Sequence, residues 1–393
     1  KSMATRRAIL WTGVGGVALM GAGLGALLHS DLSEARAPWR AVGAGFGDKR
    51  LDALSYAVLA PSPHNMQPWL IALDDDDNAL TLYCDLDRRL PETDPQDRQI
   101  VIGLGAFLEI MRQAAAEQGY ALEVDAFPQG AAAPRLDQRP VATVRFVKDA
   151  SAAKDPLFAH IPARRTSRVP FDQGRPVSAD ILKALDSVLR PEDGEFEWAN
   201  DAENISELKR ICRDGWIAEV GAPGPHRESM RLTRIGEKEI NAAPDGISLA
   251  GPVMEGLHFA GVLTREKMSD PDSVANVETI NFYNGLIDSA MAFGWLSTAG
   301  NSRTDQLRAG AGWVRLHLAA TQRGLSMQPL SQVLQEFSEM AEYYEEIHDF
   351  TGIRAPQGPR DGRLQGLFRF GYGATPAPAP RWPLETRLIA ADA

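Results

Sequence analysis

Three prolines within eight positions, Pro61, Pro63 and Pro68, are the strongest local constraint in the chain. Each ring fixes φ near −65° and removes a backbone donor, so neither a helix nor a central strand can run through residues 60 to 68. The preceding stretch, Leu51 to Leu59, has apolar residues at 51, 54, 58 and 59, a helical spacing that must stop at the first proline. Trp69 to Leu73 and Leu80 to Leu86 are short β-type runs, the second alternating Leu80, Leu82, Cys84 and Leu86 on one face. Asp74-Asp75-Asp76-Asp77-Asn78 joins them into a hairpin, and because the acid run lacks alternating ligands and a closing glutamate it reads as a solvated turn rather than a calcium loop. The rigid loop between helix and hairpin carries Ser62, His64, Asn65 and Gln67. These donors and acceptors either grip a flat polar ring or cap neighbouring helix ends.

With 393 residues the chain exceeds what one core usually encloses, so two domains, or one fold built from two similar halves, is expected. Its 44% hydrophobic and 24% charged residues exclude a disordered or collagen-like chain. A net charge of −11 argues against a nucleic-acid partner. Cys84 and Cys212 have neither metal-ligand nor redox-pair spacing, and the scattered histidines make a zinc site improbable. From Ile100 to Gln118, Leu104, Phe107, Leu108, Met111 and Ala115 recur at helical steps, and Gly119 supplies the stop. A second helix, Ala309 to Arg323, ends at Gly324. Aligning Gly105 with Gly310 also matches Ala106 with Ala311, Ala114 with Ala319, Ala115 with Ala320 and Gly119 with Gly324, which suggests an internal repeat. Further expectations are a strand at Ala142 to Val147, a helix at Ser178 to Leu189 and a long apolar helix at Val274 to Thr298. Residues 219 to 272, rich in Gly, Pro and charge, read as an irregular excursion able to cover a site.

The amino terminus points to a membrane. Arg6 and Arg7 precede an uncharged stretch from Ala8 to Leu28, long enough at about 1.5 Å per residue to cross a hydrocarbon core of roughly 30 Å. Thr5-Arg6-Arg7-Ala8-Ile9-Leu10 resembles the twin-arginine export signal. A cleavage site at Ala35-Arg36-Ala37 would leave Pro38 first in the mature chain, which favours an uncleaved anchor. The positive-inside rule then puts everything after Leu28 on the periplasmic side of the inner membrane, with residues 29 to 48 as a linker.

Two clusters carry the chemistry. Pro61-Ser62-Pro63-His64-Asn65-Met66-Gln67-Pro68-Trp69 is the first. Arg164-Arg165-Thr166-Ser167-Arg168-Val169-Pro170-Phe171 is the second, concentrating guanidinium forks suited to a phosphate, or else forming an exposed basic loop. Together they resemble the nitroreductase superfamily of FMN-dependent oxidoreductases, and their order along the chain resembles its Acg-like branch, in which two family-like halves are fused. The resemblance implies an α+β fold with a mixed sheet and packed helices, the halves forming an intrachain pseudo-dimer at 49 to 150 and 151 to 383, with a short tail to 393. It implies that Arg164, Thr166 and Arg168 hold the flavin phosphate, while Pro61, Ser62, Pro63, Asn65 and Gln67 lie against the ring and ribityl chain. Gly324-Leu325-Ser326-Met327-Gln328-Pro329-Leu330-Ser331 is similar to the segment approaching flavin N5, which adds Pro329, Leu330 and Ser331. Phe370-Gly371-Tyr372-Gly373 followed by Arg381 is similar to the closing segment that completes the phosphate site. The family often has Glu-Gly where this chain has Ser331-Gln332, which leaves the substrate open. No second motif set follows Gly119, so one FMN per chain is expected, beneath a lid formed by 219 to 272. The reading is a membrane-anchored, periplasm-facing FMN oxidoreductase served by a quinone or redox-protein partner. Its rivals are a non-catalytic subunit of a membrane complex and a flavin-storage protein.

Overall fold

The computed structural model describes residues 31–353 and 362–390. The expected anchor, residues 8 to 28, lies outside the described residues, among which no helix is long and apolar enough to cross a membrane. After a helical turn at Pro38–Ala41 comes α1 (Lys49–Ala57), capped by Asp48, which accepts from the Arg50 amide. The proline loop makes a single 3-10 turn at Pro63–Asn65 and delivers β1 (Trp69–Leu73) and β2 (Ala79–Cys84), an antiparallel hairpin with Ile71 opposite Leu82. Then follow α2 (Arg98–Glu117), β3 (Tyr120–Ala126) and β4 (Ala142–Lys148). Next are α3 (Ala179–Asp186), β5 (Glu195–Ala199) and α4 (Ala202–Gly221). The excursion comprises α5 (Pro223–Arg231), β6 (Thr233–Ile235), α6 (Gly236–Ala242), β7 (Ile247–Leu249), α7 (Pro252–Phe259) and α8 (Arg265–Ser269). The chain continues through α9 (Val274–Asp288), β8 (Ala292–Thr298), α10 (Arg303–Gln322), β9 (Ser326–Pro329), α11 (Ala341–Thr351), β10 (Arg363–Gly371) and β11 (Leu388–Ile389).

Two main sheets result, one ordered β11-β1-β2-β4-β3 and the other β5-β8-β10-β9. Without β11 their orders are the same, strand for strand, and all neighbouring pairs in both are antiparallel. β11 makes the first sheet mixed, pairing parallel with β1 through Ile71 opposite Leu388. Between second and third strands, each set has a 20-residue helix, α2 or α10, and these start at the offset that aligns Gly105 with Gly310. Both helices end before a left-handed glycine, Gly119 or Gly324, which ordinary side chains would strain.

The helices touch at those two glycines. A Cβ on Gly105 would stand 2.0 Å from the Leu307 carbonyl oxygen, and one on Gly310 would stand 2.0 Å from that of Ile102. Their first residues reach across reciprocally. Arg98 donates to the carbonyls of Leu334 and Leu364 and pairs with Glu336 at 3.1 Å, while Arg303 donates to those of Ala132 and Pro134 at 3.2 and 2.7 Å. One apolar core, including Trp69, Phe107, Leu316 and Phe370, runs through the contact.

Several expectations need correction. Val274 to Thr298 is a helix only to Asp288; from Ala292 it is β8, wholly buried between β5 and β10, and a central strand lacks the alternation that marks a half-exposed one. The excursion is mostly helical, and its β6 and β7 pair in parallel. In the supposed linker, Leu32, Ala35 and Trp39 are buried against the globule. The tail supplies β11. We expect Gly310→Ala to lower unfolding stability by at least about 2 kcal/mol, since the new methyl meets backbone rather than a movable side chain. Denaturant titration checks this, and an unchanged midpoint would contradict the close contact.

Candidate functional site

The proline loop is backed by α2 and strained. His64, Asn65 and Gln67 have φ of 45°, 54° and 51°, a left-handed conformation that non-glycine residues rarely adopt. The strain is held by internal bonds. Ser62 Oγ accepts from the Gln67 amide at 2.9 Å, and Gln67 Nε2 donates to the carbonyls of Asn65 and, from the excursion, Pro244 at 3.1 and 2.8 Å. Gln67 Oε1 accepts from the Trp382 amide, so this buried side chain is directed wholly at protein and braces the loop.

At one end of the loop lies a cluster of guanidinium groups. Arg381 donates to the Leu59 and Ala60 carbonyls and to Asn65 Oδ1, and Arg164 donates to the Leu59 carbonyl at 3.0 Å. Arg165 and Arg381 face the Trp39 ring at 4.5 and 5.4 Å, and Arg36 donates to the Pro378 carbonyl. Among the described residues none of these four arginines pairs with a carboxylate. The Nε atoms of Arg164, Arg165 and Arg381 are buried without a hydrogen-bond partner. Burial, reinforced by neighbouring arginines, pushes Arg164 down to about 9 and Arg381 well below the usual guanidinium range. His317 accepts no proton here; burial and Arg164 push it down to about 3, and its Nε2 lies 2.9 Å from the Arg165 carbonyl. Several cations held by neutral carbonyls, with orphaned donors between them, fit a phosphate-sized anion.

At the other end, side chains from four elements converge. His64 Nε2 lies 3.3 Å from Ser229 Oγ of α5, which donates in turn to Glu219 Oε1 of α4 at 3.4 Å. His64 Nδ1, Glu219 Oε2, Ser331 Oγ and Ser167 Oγ are buried without partners. Tyr283 of α9 accepts from Gln332 at 2.8 Å and Gln328 at 3.3 Å. Arg168 is exposed, yet its charge acts on His64, Glu219 and Tyr283. Burial and that charge push His64 down to about 4, so the ring is neutral near pH 7. Arg369 of β10 fixes the arginine segment by donating to the Val169 and Ser167 carbonyls, and Ser167 N donates to the Met327 carbonyl beside the bridge of Thr166 to Met327.

The two sequence clusters thus meet, although Arg164 and Arg168 do not converge on one point. Arg164 joins Arg381, whereas Arg168 acts on the His64 end, because the extended chain between them sets the two residues roughly 13 Å apart. Pro329 pairs with Phe368 in the sheet, the Leu330 amide is taken by the Leu367 carbonyl at 2.8 Å, and only Ser331 offers a free side-chain atom. Trp39, Glu219, Ser229, Tyr283 and Arg369 lie in no motif and reach the site from remote elements, so sequence reasoning misses them; it meets Arg36 only as part of the candidate cleavage site.

The excursion is fastened over the loop by charge. Asp245 accepts from Arg88, Arg234 and the Trp382 indole at 2.6, 2.8 and 2.9 Å, and Glu228 accepts from the Thr93 amide and hydroxyl at 2.9 and 2.7 Å. Against its burial, those partners hold the Asp245 carboxyl below the usual carboxylate range. Glu219 is the opposite case: burial raises it to about 7, despite relief from Ser229, Gln335 and Arg168. Since its ordinary value is 4.5, the folded state is fully favoured below about pH 4.5 and loses stability as pH rises through about 7. Glu219→Gln should remove that slope and stabilise the protein on the order of 2 to 3 kcal/mol at pH 8, with no gain at pH 4. Thermal melts across this range check it; parallel curves for both proteins would contradict the assignment.

No family model matches the chain. Among known proteins of Mycobacterium tuberculosis, the one called "Putative NAD(P)H nitroreductase acg" is 34% identical over 343 residues, covering 85% of this chain and 93% of its own length. "Putative NAD(P)H nitroreductase Rv3131" is 28% identical over 352 residues, covering 84% and 91%. Solved structures superpose more loosely: the Anabaena variabilis protein described as "a putative nitroreductase" covers 83% of this chain and 88% of its own, at 11% identity and a TM-score of 0.44. Assignment therefore rests on the first relative, and at that identity along most of both lengths the chain belongs to the nitroreductase-like superfamily.

Proposed function

We propose that the protein is an FMN-dependent oxidoreductase with one flavin site per chain, built between two family-like halves. The observation that carries this reading is the group of arginines with buried, orphaned donors and, among the described residues, no carboxylate partner. Arg164 and Arg381 would hold the FMN phosphate, with Arg165 beside them. Pro61, Ser62, Pro63 and Asn65 would line the ribityl path, and His64, Arg168, Thr166 and Ser331 the ring end. When bound, FMN supplies two-electron redox chemistry; the protein supplies position, charge and exclusion of water. The identical strand orders and the reciprocal Arg98 and Arg303 contacts support the fused halves. Relatives named as NAD(P)H nitroreductases support the class of reaction.

The uncharged stretch 8 to 28 is read as an uncleaved anchor holding the globule on the periplasmic side. Support comes from the candidate cleavage site: Ala35 is buried, its amide is bonded to Asn241 and its carbonyl accepts from Arg381 at 2.8 Å. Cutting there would separate the site from residues that pack on it. In that setting soluble nicotinamide nucleotides are scarce, and a quinol or redox protein is the proposed donor. A second reading, storage of flavin or a non-catalytic subunit, is favoured by the bonds from Ser229 and Pro244 that fasten the excursion over the loop.

Detergent-purified protein reconstituted with FMN should hold one equivalent. Arg381→Ala and Arg164→Gln should each weaken FMN binding roughly ten- to a hundredfold, as expected for loss of a charge-assisted contact. Fluorescence titration reads this, with far-UV circular dichroism confirming folding. A colourless protein, two equivalents, or unchanged affinity in both variants would refute the site. In anaerobic stopped-flow experiments a quinol analogue should bleach the flavin faster than NADPH does. The reverse order would replace the proposed donor, and no bleaching by either would favour storage.

A further inference from the structure

The excursion carries an apolar face on which no other described element packs. No side chain of α7 is buried, and Val253, Phe259 and Val262, on this helix and the turn after it, are exposed, Phe259 to 81%. α9 adds Val274, 68% exposed, with Val277 and Phe282. The two groups adjoin, because Leu263, next to Val262, and Ala275, next to Val274, pack on the same small core of Met230, Ile235 and Met268. Single exposed apolar residues are ordinary, whereas a cluster of large ones marks a surface meant to be covered.

What lies beside this face is the start of the described chain. The Asp31 amide donates to Glu237 of α6 at 2.8 Å, and the Glu237 amide donates to Glu255 of α7. Asn241 holds the Asp31 carbonyl and the Ala35 amide, and Leu32 and Ala35 pack on Ile240 with Ala250 alongside. The uncharged stretch therefore ends only three residues, about 10 Å of extended chain, from α6 and its neighbour α7.

We propose that this face lies in the lipid interface, beside the point where residues 8 to 28 enter the bilayer, so that α7 and α9 seat the globule on the membrane. The proposal rests on the anchor reading above. Apolar side chains sinking into the boundary between headgroups and acyl chains would be removed from water without burying backbone. Charge is not the attraction: exposed Arg227, Arg231, Lys238 and Lys267 are matched by exposed Glu266, Asp270, Asp272 and Glu278, which leaves no basic patch. Seating should therefore withstand salt. It would also turn the element that bonds to His64 through Ser229 towards the phase in which a lipid-soluble electron donor travels.

The test uses the full chain in phosphatidylethanolamine–phosphatidylglycerol vesicles. Single nitroxides are placed by Phe259→Cys and Val274→Cys, with Leu19→Cys reporting the anchor and Glu123→Cys, exposed on β3, reporting water. The native Cys84 and Cys212 are buried. Collision rates with oxygen and with a water-soluble nickel chelate are compared. Labels at 259 and 274 should favour oxygen over nickel several-fold more than the label at 123, unchanged in high salt. If they match the label at 123 while that at 19 is in lipid, the seating proposal fails and the anchor stands. If the label at 19 is also in water, both fail. Labels shielded from both reagents mean that protein, whether a second copy or another subunit, covers the face, which also overturns the lipid assignment.

Discussion

The contact of Gly105 with Gly310 sets the distance between everything else. Because neither helix has a side chain there, α2 and α10 approach to backbone contact, and each sheet packs outside its own helix. That separation brings the proline loop, which leads into the first sheet, against the arginine segment bridged to β9 of the second. Arg98 and Arg303 fasten the same arrangement at the helix starts, each to carbonyls of the opposite part, so the site and the core depend on one interface.

Electrostatics divides the molecule into two kinds of place. Around the buried Glu109, arginines meet an acid: Arg112, Arg190 and Arg315 overcome its burial and hold it at about 2. Around Leu59 and Ala60 arginines meet carbonyls, the Asn65 side chain, the Trp39 ring and His317, and among the described residues no carboxylate. In a chain of net charge −11, such a gathering is unfavourable unless an anion completes it. The excursion has the converse design. Its acids Asp245 and Glu228 reach donors of the first part and close over the loop, while Glu219 remains buried without a bonded cation.

Local order was legible where local forces decide it. The proline loop, the hairpin after it, the helices ending at Gly119 and Gly324, and the repeat step between them all follow from φ restriction, alternation and small-residue spacing, and all appear in the structure. Both motif clusters were found because their residues are consecutive. The β8 strand is not legible in sequence because burial on both faces removes the alternation by which strands are recognised.

Only the tertiary structure decided where each arginine lies. Arg164 and Arg168 look equivalent in sequence, yet one is buried beside Arg381 and the other acts on His64, because the extended segment, pinned by Met327 and Arg369, spans the distance between the two ends of the loop. Gln67, whose motif implies a ligand contact, is turned inward by Pro244 and Trp382, partners far along the chain. Trp39, Glu219, Ser229 and Tyr283 enter the site from separate elements. No spacing rule links such residues, since their proximity comes from long-range packing, whereas the chain itself determines its turns, stops and repeats through interactions spanning only a few residues.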